Sequence, residues 1–353
     1  MVTSNGENRA LVTSRFWLCL TRFSSPISRH PHLVTLISSL LLVATPAAAQ
    51  QWKPSRPIEL IVGSGAGSAS DRQARVAQKY LQAFPGLSSV VVSNRPGGGS
   101  TIAYTYLAQH PGDGHYLITM ATSLLTNQIT GISQIGYQDV TPLNALIREY
   151  ISVWVRKDSP FASAKDLLAV LRKDPAAISF AFSTARGNQN HIVIGMIARS
   201  AGVDPKAVKT VVYASGGQGM IAAIGGHVDV WVGTTGSALQ HQQAGTIRIL
   251  GLSAAQRQPG RLADVPTLRE QGIAAEYYAW RGFAGPRGLT EAQIAFWEQA
   301  FAKVIAAEEW KKELEDNAWA EGHARAAETR KHLDAEYQLL KGTLVDLGVV
   351  SPK

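Results

Sequence analysis

The chain has a single cysteine, Cys19, among its 353 residues. One cysteine excludes an internal disulfide framework and a multi-cysteine metal site. No apolar run reaches the roughly 18–20 residues that a membrane-spanning helix needs. Charged side chains are sparse at 17%, and no run of Lys and Arg is interleaved with aromatics. The formal charge of +8 is scattered, so nucleic acid is not an expected partner. Catalytic signatures are also missing. There is no Gly-x-Ser-x-Gly in strand–turn–helix context and no His-Glu-x-x-His. His110, His115, His191, His227, His241, His323 and His332 lack metal-ligand spacing. No cofactor is expected, and no repeat of fixed period is visible.

At the N-terminus, Arg9, Arg15, Arg22 and Arg29 stand against one acid, Glu7. They precede the apolar stretch Leu33–Ala44 and the sequence Thr45-Pro-Ala-Ala-Ala-Gln50. A basic segment, a short apolar segment and a small-x-small site predict an export signal cleaved after Ala49. The alternative is an uncut membrane-anchoring helix, for which twelve apolar-leaning residues are short. Cleavage would remove Cys19 and lower the positive charge.

Residues beyond Ala49 alternate between two periodicities. Short β-branched runs lie at Ile58–Gly63, Val90–Ser93, Tyr116–Ala121, Tyr150–Val155, Ile178–Ser183, Lys209–Ala214, Val228–Gly233 and Ile247–Ser253. Most lack polar alternation, as expected for strands covered on both faces. Helical spacing recurs at Asp71–Phe84, Asn188–Ala201, Gly217–Gly225 and Thr290–Ala307. The alternation predicts α/β layers with mainly parallel sheets. Eight strands would suit a single barrel, but residues 290–347 read as nearly all helix, with no strand signal to finish one. Two smaller sheets fit better.

Loops rich in glycine and hydroxyl groups follow the strands. The first is Gly63-Ser-Gly-Ala-Gly-Ser-Ala-Ser-Asp71. Its glycines, Gly67 among them, allow backbone amides to approach a ligand, and the next helix start favours an anion. Ser64, Ser68 and Ser70 add neutral donors, and Asp71 is placed to cap the helix. A dinucleotide fingerprint is the competing reading, but Ser68 replaces its third glycine and no acid follows the second strand. The second loop, Asn94-Arg-Pro-Gly-Gly-Gly-Ser-Thr101, reads as a glycine turn with Ser100 or Thr101 capping the next helix. The third, Ser183-Thr-Ala-Arg-Gly-Asn-Gln-Asn-His191, offers Thr184, Arg186, Asn188 and Asn190. A fourth is Tyr213-Ala-Ser-Gly-Gly-Gln218. Several donor-rich loops at strand ends suit an anion-binding cleft.

The region Trp52–Val350 resembles the periplasmic receptors of tripartite tricarboxylate transporters, the Bug or TctC-like family. The resemblance runs through Pro54–Val62, Val90–Ala103, Pro111–Ile118, Val212–Val230 and Ala244–Gly272, and ends at Trp280-Arg-Gly-Phe-Ala-Gly-Pro286. Ala244–Gly272, with its Arg-rich turn before Asp264-Val-Pro-Thr267, is the most specific piece.

The resemblance implies a two-domain periplasmic-binding-protein type II fold of the α/β class, closing like a flytrap. Residues 50–148 and 277–353 would form domain 1, and 149–276 domain 2. The chain would cross between them near Leu146–Tyr150 and Ala275–Arg281. It also implies an exported monomer, not an enzyme, that carries a small carboxylate ligand to the membrane subunits of a tripartite tricarboxylate-type transporter. A receptor of the same fold feeding a membrane sensor is the alternative, and an exported α/β hydrolase a more distant one. Ligand-binding residues are expected at Ser64, Gly67, Ser68, Ser70, Asp71, Thr122, Ser183, Thr184, Arg186, Gly187, Asn188, Asn190 and Trp280. The chain departs from the family at Ser64, Gly65 and Ala66, where Pro and an aromatic are common. It departs again at Arg186, whose planar fork suits a carboxylate.

Overall fold

A computed structural model describes residues 52–351 other than 184. The expected leader, its cleavage after Ala49, and the expected ligand contact at Thr184 lie outside the described residues.

The first half of the chain runs β1 (Ile58–Val62), α1 (Ala69–Leu81), β2 (Val90–Asn94), α2 (Thr101–Leu107), β3 (Tyr116–Ala121), α3 (Ser123–Ile129) and β4 (Val140–Arg156). It continues α4 (Ala164–Lys173), β5 (Phe180–Ser183), α5 (Gln189–Ala201), β6 (Thr210–Tyr213), α6 (Gly216–Ile224), β7 (Val230–Thr234), α7 (Thr235–Gln243) and β8 (Ile247–Leu252). The last part is β9 (Tyr278–Pro286), α8 (Glu291–Ala306), α9 (Glu308–Asp316), β10 (Ala320–Arg325) and α10 (Ala326–Asp346).

Strands without polar alternation are covered on both faces. Leu60, Ile61 and Val62 of β1 are all fully buried. Leu60 and Val62 pack with Ala74, Ala77 and Trp297 of α1 and α8. Ile61 belongs to the opposite layer, with Ala103 and Leu107 of α2. Successive side chains of a strand point to opposite faces, so a run of three buried residues requires a layer on each side.

The sheets are more mixed than the mainly parallel arrangement expected. β1 pairs in parallel with β2 and β3, and β5 with β6 and β7. The middle is antiparallel: β9 lies between β3 and β4, and β4 also pairs with β7, β8 and β10. β4 is a single 17-residue strand shared by the two halves. Up to Tyr150 it pairs with β9, and from Ile151 it pairs with β7. Its first ten residues escaped the sequence reading because Pro142, Asn144, Arg148 and Glu149 interrupt the apolar run. The register of β4 against β9 shifts between Pro142 and Asn144, and an irregular position is where a sheet tolerates proline.

β10 corrects the expectation that residues 290–347 carry no strand. Its sequence, Ala-Glu-Gly-His-Ala-Arg, is half exposed and has no β-branched residue. It becomes a strand because β4 offers a partner edge from Asn144 to Arg148. Gly322 lies flat on that edge, where a Cβ would stand 3.0 Å from the Ile147 carbonyl carbon.

Candidate functional site

A cavity of about 320 Å³ opens beyond the C-terminal ends of β1, β3 and β5, between the two halves of the sheet. Parallel strands present loop amides and helix starts at this end.

Ser64 and Ser70 of the first loop reach the cavity wall. Gly67, Ser68 and Asp71 do not line it; they hold the loop in shape. Ser68, not Asp71, caps α1, accepting from the Asp71 amide at 3.2 Å. The Ser68 and Ser64 hydroxyls meet at 2.7 Å. The Asp71 carboxylate accepts from the Gly67 amide at 2.8 Å, Asn94 Nδ2 at 2.9 Å and Arg75 Nε at 3.0 Å. Burial alone would raise its pKa, but the bonds from Arg75, Gly67 and Asn94 hold it below the ordinary carboxylate value. Gly67 is therefore a loop clamp. Its φ of +77° favours glycine, and a Cβ there would meet nothing within 4 Å.

The second loop, expected as a glycine turn, also brings Gly99 and Ser100 to the wall. Backbone conformation brings them in. Ser100 has φ 84° and makes no capping bond, while the Thr101 hydroxyl donates to the Gly98 carbonyl at 2.7 Å. Asn127 Nδ2 donates to the Gly99 carbonyl at 2.8 Å. A Cβ on Gly63 would fall 2.3 Å from the Ser100 Cβ, so the close approach of these two loops requires glycine at 63. Between them, Thr119 and Ala121 of β3, then Thr122, Ser123 and Thr126 around α3, complete this side.

The opposite wall is the third loop. Arg186, Gly187, Asn188 and Gln189 face the cavity; Ser183 and Asn190 do not line it. Asn188 caps α5, accepting from the Asn190 and His191 amides, both at 3.1 Å, and donates to the Ser183 carbonyl at 2.7 Å. Asn190 is buried behind the wall. His191 Nδ1 accepts the Gly187 amide at 3.0 Å, and its ring stacks on Phe182. Burial, then the charge of Arg186, pushes the His191 pKa down to about 4, so the imidazole is neutral at pH 7. Arg186 is exposed at the rim, where Nη1 donates to the Thr210 hydroxyl at 2.9 Å.

The floor comes from β9, through Ala279, Trp280 and Arg281. Arg281 is the residue the sequence reading missed. Its Nη2 donates to Glu149 Oε2 of β4 at 2.7 Å, and the two side chains are 13% and 5% exposed. Nη1 reaches the Ser70 hydroxyl at 3.4 Å, while the buried Nε has no hydrogen-bond partner. A lone Arg between Trp280 and Gly282 resembles an outward-facing strand residue. The available signal was an Arg and a Glu, each inside one of the two expected crossing segments. The Trp280 indole N–H donates to Glu336 of α10, which also accepts from the Tyr277 hydroxyl at 2.9 Å. His332 Nε2 lies 3.2 Å from the same carboxylate. Among the described wall residues the charged ones are Arg186 and Arg281. The rest offer hydroxyls, amides and a few apolar groups.

Two α/β halves sharing long central strands, with a polar cleft at the strand ends, define a solute-binding protein of the two-domain periplasmic type. Solved structures with this architecture agree. A TctC solute-binding protein from Polaromonas matches with a TM-score of 0.70 at 22% identity, covering 82% of this chain and 98% of that one. Rpa4515 of R. palustris, solved with adipate, matches with a TM-score of 0.71 at 24% identity, covering 84% and 98%. Among curated proteins, one encoded in the tcbD–tcbE intergenic region of a Pseudomonas species is 28% identical over 286 residues, 80% of this chain and 83% of that protein. The model of the tripartite tricarboxylate transporter family receptor, TctC, matches residues 74–345. The chain belongs to that family, whose members are periplasmic solute-binding receptors rather than enzymes.

Proposed function

We propose that the protein captures a small carboxylate in this cleft and presents it to the membrane subunits of a tripartite tricarboxylate-type transporter. The observation carrying the ligand class is the pair of guanidinium groups, Arg281 in the floor and Arg186 at the rim, in a wall otherwise neutral among the described residues. Adipate in the R. palustris relative supports the same class. Ser64, Ser70, Thr122, Gly187, Asn188 and Trp280 complete the binding surface. Gly67, Ser68, Asp71, Ser183 and Asn190 support it from behind, and Thr184 is assigned to it by its place in the third loop.

In this reading, residues 50–148 with 277–353 form one domain and 149–276 the other. The protein acts as a periplasmic monomer after removal of residues 1–49. A thermal-shift screen against a carboxylate panel tests the assignment. A ligand at 100 times its Kd should stabilise the protein by about 2.7 kcal/mol, and a flat response across the panel would refute it.

A further inference from the structure

We propose that the cleft selects a solute with one negative charge and several hydroxyl groups, a hydroxylated monocarboxylate, and that the Glu149–Arg281 pair sets this limit. The inference rests on the receptor reading above and specifies its ligand.

The charge count carries it. Two cations and no acid line the described wall, but Arg281 is not a free cation, because Glu149 already occupies its Nη2. That pair is neutral, which leaves Arg186 as the uncompensated charge. His191, Asp71 and Tyr104 do not alter the sum. His191 is neutral and holds the Gly187 amide. The Asp71 carboxylate is committed to Arg75, Asn94 and Gly67. The Tyr104 phenol donates to the Thr119 carbonyl, and burial keeps it protonated. One carboxylate balances the site. A second would enclose an uncompensated negative charge once water is excluded, and buried unpaired charge is strongly unfavourable. Glu336, behind Trp280 and bonded to Tyr277 and Trp280, weighs further against it.

A neutral solute fails for a different reason. Arg186 would keep its charge unmatched in the closed cleft, and a guanidinium bond to a carboxylate is stronger than one to a hydroxyl. The hydroxyl requirement follows from the rest of the wall. Ser64, Ser100, Ser123 and Thr126 present hydroxyls, which both donate and accept. A purely aliphatic chain would strip water from these groups and return no hydrogen bonds.

Matched compounds separate the possibilities. The purified protein is unfolded and refolded to remove carried-over ligand, then titrated by calorimetry. One set is gluconate, glucarate and glucitol; a shorter set is threonate, tartrate and threitol. Malate and adipate are added as diacids with few or no hydroxyls. In at least one set the monoacid should bind tenfold or more tighter than both its diacid and its polyol. Glu149→Gln should raise diacid affinity relative to the monoacid at least tenfold, by freeing the second positive charge. Arg281→Gln should abolish the preference for monoacid over polyol.

The wild-type panel decides the question even if a variant does not fold. A diacid binding tightest, or a polyol matching its monoacid, overturns the charge limit and leaves the receptor reading standing. An unchanged monoacid-to-polyol ratio in folded Arg281→Gln overturns the role of the pair. Failure of all eight compounds counts against the receptor reading itself.

Discussion

Asp71, expected among the ligand contacts, holds the first loop in shape behind Ser64 and Ser70. Its carboxylate gathers a glycine amide, an asparagine amide and a guanidinium, so Asp71→Asn should cost about 1–3 kcal/mol in urea unfolding. Because the folded pKa is depressed, this stability is present above the unfolded pKa and is lost as pH falls through the folded value. His191 titrates in a different window. Its folded pKa of about 4 lies below the ordinary histidine value, so the unfolded chain binds more protons between pH 6.5 and 4. Stability should fall by roughly 2–3 kcal/mol as pH drops through that interval. His191→Asn, with an oxygen near the position of Nδ1, should flatten the fall, which denaturant titrations at pH 7, 5.5 and 4 would reveal. Arg186 is exposed and already holds Thr210. As the uncompensated cation of the cleft it should nevertheless turn to the ligand carboxylate on closure, so Arg186→Ala should weaken carboxylate binding by about 1.5–3 kcal/mol, a loss that persists at high salt. A small loss that fades as salt rises would leave Arg186 at the rim and count against the charge balance proposed above.

At the scale of elements, β4 and β9 decide the architecture and position the floor of the site. Gly282 lets them close. A Cβ there would lie 2.0 Å from the Asn144 carbonyl oxygen, a backbone atom that has no side-chain rotation to relieve the clash. Gly282→Ala should destabilise the fold by about 3 kcal/mol and reduce ligand affinity, because Arg281 and Trp280 sit beside it. Thermal unfolding and calorimetry on the same sample would check both effects. The same pair of strands marks how far the sequence could be read. Helices such as α8 were legible almost to the residue, because Thr290 caps and Gln293 completes the capping box. Strands buried on both faces announced themselves by composition. The long β4 did not, since Asn144, Glu149 and Ser152 are polar yet buried, and exposed Arg148 breaks the apolar run. β10 did not, since it owes its strand state to a partner more than 170 positions away, as the pairing of Ala320 with Arg148 shows. For the cleft, loop chemistry was legible at Ser64, Ser70 and the Arg186–Asn188 stretch. Arg281 was not, because its meaning depends on Glu149 across two strands.

For the whole molecule, the halves are joined by few backbone links. β4 changes partners at Tyr150 and Ile151, and the chain returns at Tyr278, opposite Tyr150. Long strands that pass from one half to the other suit hinge closure. Small-angle scattering should show a smaller radius with saturating ligand than without; equal radii would argue for a rigid cleft. α10 adds a non-covalent strap. Its C-terminal end packs on the second half, where a Cβ on Gly187 would stand 2.9 Å from the Leu344 side chain and one on Gly195 would stand 2.9 Å from Leu347. Truncation before Leu344 should therefore loosen the third loop and lower affinity more than it lowers thermal stability.

The shared strand also governs the order in which the chain acquires its structure. β3 is made early, yet its neighbour β9 begins at Tyr278, and the outer partner of β4 begins at Ala320. The first half of the sequence therefore has no complete sheet to settle into while the polypeptide is being synthesised. Pairings of such long sequence separation carry a large loop-closure cost before any contact repays it, and this slows folding. The half that carries β5, β6, β7 and β8 has all its strands once Leu252 is made, whereas β3 and the first part of β4 wait for β9 and β10, so that half is the last to be completed.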